Sequence, residues 1–326
     1  MDPRINAAVF GGVVPGVIAT LTLMFAGVAV ALRRGPLPPR NLEPGRVVRP
    51  RGVLERLITA MATLVVGGGV VWSMRLVETY DGWWPLNVNV RTPALVGMGA
   101  IAAALVAVGP GRWWFSLPVC LLGAASISYG IREPLHFTEN LPLDMLLDVP
   151  AIGVSAFLVQ VLIDRACNLD RSMLVRPLPI VALAAVLGAV PAIIFHFGIS
   201  VSSQQAAVVQ SVLVSGALVL GLLAYSAGHV VLRGVGVLAT MAIGVWMLLG
   251  RTLGSPLLAE WAIAMLLLAA VGCGIAALVL PRLKRWWTPP LLVFVLVGSP
   301  LLTATLVQRA AFNENKSAYS DEDYGY

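Results

Sequence analysis

Charge is what this 326-residue chain has least of: Asp, Glu, Lys and Arg make up 12% of it, against 58% hydrophobic residues. A soluble domain carries roughly 25% charged residues, so this chain could not cover a water-facing surface of its own size. That shortage excludes a disordered protein and a nucleic-acid-binding module. Lysine is nearly missing, with only Lys284 and Lys316, and no late apolar run contains one, which excludes a retinal Schiff base. The three cysteines (Cys120, Cys167, Cys273) are far apart and form no CxxC or Cys/His cluster. A disulfide scaffold, a zinc finger and a haem-attachment site therefore have no basis. Walker A, GxSxG, HExxH and EF-hand patterns are absent as well.

What the chain does have is long apolar runs. A bilayer core of about 30 Å needs about 20 apolar residues in helical form. Ten runs qualify, at 7–32, 54–74, 93–109, 114–131, 148–164, 177–198, 205–230, 234–250, 256–280 and 289–308. They are continuous rather than alternating, so helices rather than barrel strands are expected. The reading is an all-α, polytopic transmembrane bundle of about ten spans, or nine if one of the short third, fifth and eighth runs is dropped.

Orientation follows from the excess of Lys and Arg on cytoplasmic connections. With the 33–56 connection inside, 15 basic residues fall inside and 7 outside, while 12 of the 16 acids fall outside. Both termini are then extracytoplasmic, in a cell (inner or plasma) membrane. The first run ends in Arg33-Arg34 without a cleavage motif, so it reads as an uncleaved span. Residues 1–310 form the transmembrane domain. Within it, 33–56 is a basic, proline-rich cytoplasmic linker, and 311–326 is an acidic flexible tail.

Ionisable groups at membrane depth cost roughly 2.5–3.5 kcal/mol each on insertion scales, so the few polar clusters are the pointers to function. Four stand out. The outer loop 75–92 carries Tyr80, Asp81, Trp83, Trp84 and Pro85, which fit an interfacial aromatic belt or a packed loop. The outer loop 132–148 brings His136, Glu139, Asp144 and Asp148 within 13 residues, an N/O donor set suited to copper or zinc, or a solvated acidic loop. Tyr225, His229 and Arg233 recur every four residues and share one helix face. His196 sits beside Gln204, Gln205 and Gln210, as polar contacts between helices would.

These residues also carry a resemblance. Asp81 with Trp83-Trp84-Pro85, then Pro134-Leu135-His136-Phe137, Leu141-Pro142 and Leu147-Asp148, then Tyr225, Gly228-His229 and Arg233-Gly234, occur in one order over 55–235. In this the chain resembles the A (integral membrane) subunit of the copper-dependent membrane monooxygenases. The family's Asn-Trp-Pro and His-x-Pro segments are replaced here by Phe195-His196-Phe197-Gly198. The resemblance implies a hetero-oligomer acting on a small apolar substrate, with copper held chiefly by partner subunits. It implies an oxygen-dependent oxidoreductase complex in which this chain is not catalytic by itself. His136, Glu139, Asp148, Tyr225 and His229 are then the candidate site residues. His136, Glu139, Asp144 and Asp148 are the candidate metal ligands, on the outer face. Two other readings stand beside it: a transporter or channel, which needs polar residues at span centres, and a scaffold subunit of another membrane complex.

Overall fold

The computed structural model describes residues 53–77, 88–133, 141–167, 182–183, 185–190, 193, 234–253, 258–283 and 287–322. Among these every regular element is helical: α1 (Val53–Val77), α2 (Val88–Val108), α3 (Trp113–Arg132), α4 (Leu141–Cys167), α5 (Val235–Leu253) and α6 (Glu260–Val279). The last rod is built from α7 (Thr288–Val293), a π-helical turn (Phe294–Gly298) and α8 (Ser299–Glu322). Six stretches are long and apolar enough to cross a membrane: Arg91–Val108, Trp113–Arg132, Met145–Ile163, Val235–Thr252, Glu260–Val279 and Thr288–Glu314. The chain is a multi-pass helical membrane protein. The short third, fifth and eighth runs are all helices in their own right. The runs 7–32 and 205–230, and most of 177–198, lie outside the described residues.

Three boundaries differ from the sequence reading. The fifth span does not open at Asp148; its helix starts at Leu141, which puts Asp148 in the second turn. Pro142 explains this, since proline is tolerated in a first turn whose N–H groups have no intrahelical acceptor. Val53–Arg56, assigned to the linker, already form the start of α1. The expected tail continues α8 as far as Glu322, because Ala310, Ala311 and the polar residues after them are compatible with helix.

Helices α1 to α4 run antiparallel in succession and meet through small residues. A Cβ on Gly67 would lie 2.3 Å from Ala100 Cβ, and one on Gly153 would lie 2.8 Å from a Leu121 methyl. Gly99 and Gly123 make room for Met241 in the same way. Close backbone approach is how helices associate where lipid is as apolar as the side chains. The result places α5 at the centre, with every residue from 234 to 250 buried, walled by α2, α3 and α4.

α7 and α8 are the opposite case, packed on α6 and otherwise exposed. The π-helical turn brings the Leu296 carbonyl against Gly272 of α6, so that a Cβ there would fall within 2.1 Å of that oxygen. Backbone cannot yield as a side-chain tip can. Gly272→Ala is therefore expected to pry the last rod from α6, read as faster proteolysis of the 283–322 region in detergent. Wild-type rates would show that the π turn absorbs the extra methyl.

Candidate functional site

The buried charged side chains among the described residues gather at one end of the bundle, where the C-termini of α3 and α5 meet the N-termini of α2, α4 and α6. Arg132 closes α3, and Asp148 faces it from the second turn of α4. Arg132 donates through Nε (3.2 Å) and Nη2 (2.6 Å) to Asp148 Oδ2. Arg251, from the last turn of α5, donates through Nη1 to Asp148 Oδ1 at 2.7 Å. One carboxylate thus joins three helices, and both its oxygens are engaged. Arg132 and Asp148 are each 5% exposed at the side chain, while Arg251 is 26% exposed and its Nη2 lies 3.8 Å from the exposed Glu260. Beside this group, Arg91 of α2 donates to the Gly130 carbonyl (3.3 Å) and pairs with Glu133 just past α3.

Burial of two guanidinium groups and a carboxylate is costly unless geometry and hydrogen bonds are nearly complete. Here they are complete enough. Charge-assisted bonds at 2.6–2.7 Å are at the short, strong end for N–H···O⁻ contacts. Glu260 lies in the first turn of α6, and Arg132 and Arg251 lie in the last turns of α3 and α5, which suits the helix dipole for these three.

A second polar link lies at the opposite end. Gln160 of α4 is buried, and its Oε1 accepts from the backbone N–H of Gly234 (2.9 Å) and of Gly236 (3.1 Å). It satisfies two of the orphan donors at the start of α5 from a neighbouring helix. Gly234 has φ of +94°, and a Cβ on it would meet the Ala103 carbonyl oxygen at 2.6 Å. α4 and α5 are therefore fastened at both ends, by Asp148–Arg251 and by Gln160–Gly234. The fastenings are 17 residues apart along α5, roughly 25 Å of helix and close to the thickness of a bilayer core. Between them the contact is apolar, with Gly244 against Ile152.

Of the sequence candidates, Asp148 belongs to this cluster, as the carboxylate between two arginines. A metal there would have to displace both cations. The backbone of Asp144 lies on α4, one turn before Asp148. His136, Glu139, Tyr225 and His229 lie outside the described residues, as do Trp83, Trp84 and His196. Among the described residues no group of three His, Cys, Asp or Glu side chains is arranged to hold a metal ion. Those residues do not fit a copper centre.

Sequence reasoning missed Arg91, Arg251 and Gln160, and took Arg132 only as a loop boundary. A signal was present: Arg91, Arg132 and Arg251 are three of the seven basic residues on the side that should be poor in them. No protein-family model matches the chain, and no curated protein and no solved structure is detectably similar to it.

Proposed function

We propose that this chain is an integral membrane subunit of a copper monooxygenase-like complex acting on a small apolar substrate, in which it is the fixed helical frame rather than the metal-bearing chain. The ordered motifs from Asp81 to Gly234 support the monooxygenase side of this reading. The observation that carries the frame role is the double fastening of α4 to α5. Alternating access needs one helix group to rock against another around a central site. A seam closed at both ends, with an apolar middle, resists such rocking. The charged side chains buried among the described residues, Arg91, Arg132 and Asp148, all have ion-pair partners. That pattern suits holding helices in register more than moving a solute or a proton.

When bound in such a complex, copper would supply oxygen activation, and partner chains would hold it. This chain's part is to position helices and to exclude water from the apolar interior around α5. The test is purification of the full-length protein from its native membrane in mild detergent, followed by metal analysis and identification of co-purifying chains. Copper together with other membrane subunits is the expected result. A metal-free assembly of this chain alone would overturn the monooxygenase reading. Substrate flux through the chain reconstituted by itself would overturn the frame role.

A further inference from the structure

The two ends of the bundle carry different surfaces. Trp113 and Trp114 at the start of α3 and Trp287 before α7 are exposed at the Gln160 end. Trp72 near the end of α1, Tyr129 near the end of α3 and Trp261 at the start of α6 are exposed at the Asp148 end. Between these levels the same helices expose aliphatic side chains such as Leu122 and Leu268. Exposed Trp and Tyr at both ends of an apolar stretch mark the head-group regions of a bilayer, where an apolar ring and a polar edge are both accommodated. Trp114 and Tyr129 are 15 residues apart on α3, roughly 23 Å of helix.

Charge is not shared equally between these levels. At the Gln160 end the described segments carry Arg56, Arg112, Arg165 and Arg282 against Glu55 and Asp164, an excess of two positive charges. At the Asp148 end six basic residues (Arg75, Arg91, Arg132, Arg251, Arg309, Lys316) stand with seven acids (Glu133, Asp144, Asp148, Glu260, Glu314, Asp321, Glu322) on the described segments, and the sum is −1. Arg112 and Arg282 are exposed, and each lies within a few residues of the exposed tryptophans of its level. The chain's own acidic residues Asp321 and Glu322 leave from the other end, at the far terminus of α8, so they do not neutralise this rim.

We propose that the rim formed by Arg112, Trp113 and Trp114, with Arg282 and Trp287, binds acidic phospholipid head groups: the guanidinium groups take the phosphates and the indole rings sit at the glycerol level. The occupant is lipid because the rim lies at the edge of the apolar belt, where a head group is the nearest anion. A basic residue at a membrane surface favours an acidic lipid by about fivefold. This inference is independent of the monooxygenase reading and rests only on the chain spanning a bilayer.

The test uses the full-length protein in phosphatidylcholine vesicles that contain a minor fraction of brominated phosphatidylglycerol or, separately, of brominated phosphatidylcholine. Tryptophan quenching reports which lipid gathers around the exposed tryptophans of both levels, and the arginine variants isolate the share of the rim. Stronger quenching by the acidic lipid is expected, corresponding to several-fold enrichment. The excess should vanish in Arg112→Gln/Arg282→Gln and persist in Arg112→Lys/Arg282→Lys. Unchanged quenching of the Gln variant by brominated phosphatidylcholine shows that it still inserts. Equal quenching by the two lipids in the wild type would overturn the proposal. So would an excess undiminished in the Gln variant, which would put the acidic lipid elsewhere on the protein.

Discussion

Asp148→Asn is expected to destabilise the full-length protein by about 3 kcal/mol, because three charge-assisted hydrogen bonds from Arg132 and Arg251 lose their ionised acceptor. The carboxamide has no charge to offer, and Arg132 is too deeply buried to find water. Arg251 suffers less, because it is partly exposed and can turn towards Glu260. Thermal unfolding in mild detergent measures the loss. Replacing the pair together, Arg132→Met with Asp148→Leu, should recover a large part of it, since an apolar pair of similar volume needs no desolvated charge. A wild-type melting temperature for Asp148→Asn would remove the cluster from any role in holding α3, α4 and α5 together. Loss of bound metal without loss of fold would instead identify Asp148 as a ligand.

Gly234→Ala should be comparably damaging. Its backbone is in the left-handed region, which costs an L-residue about 1–2 kcal/mol. The new methyl would also meet the Ala103 carbonyl at 2.6 Å, and that oxygen belongs to the packed backbone of α2. If the start of α5 shifts to relieve the contact, the two hydrogen bonds to Gln160 weaken with it. A total loss of about 3 kcal/mol or more follows when the strain is added to two compromised buried donors. Gly68→Ala is the control, because a Cβ there meets nothing within 4 Å. Equal melting temperatures for the two variants would show that Gly234 is dispensable.

Gly234 also falls within the Arg233-Gly234 element of the monooxygenase resemblance. The structure gives that glycine a local reason: a turn with positive φ, pressed on a neighbouring helix and capped by a glutamine from another. This account needs no catalytic role for the position.

The amino-acid sequence determined the solvent and the class of architecture. Too few charges to cover a soluble surface and runs of about 20 apolar residues leave helices in a bilayer as the workable solution, because lipid cannot satisfy an open backbone. It also determined where each described span lies to within a few residues, apart from the early start of α4 at Leu141 and the continuation of α8 to Glu322. The tertiary structure decided which polar residues matter. Arg91, Arg132 and Arg251 look, along the chain, like basic residues on the wrong side of the membrane. Glu133, Asp148 and Glu260 look like an unremarkable acidic surplus on that same side. Only packing shows that they are partners, because ion pairs 16 and 103 residues apart leave no periodic trace. Gln160 is the same lesson without charge, an amide in an apolar run whose function is set by the two backbone donors that the fold brings to it.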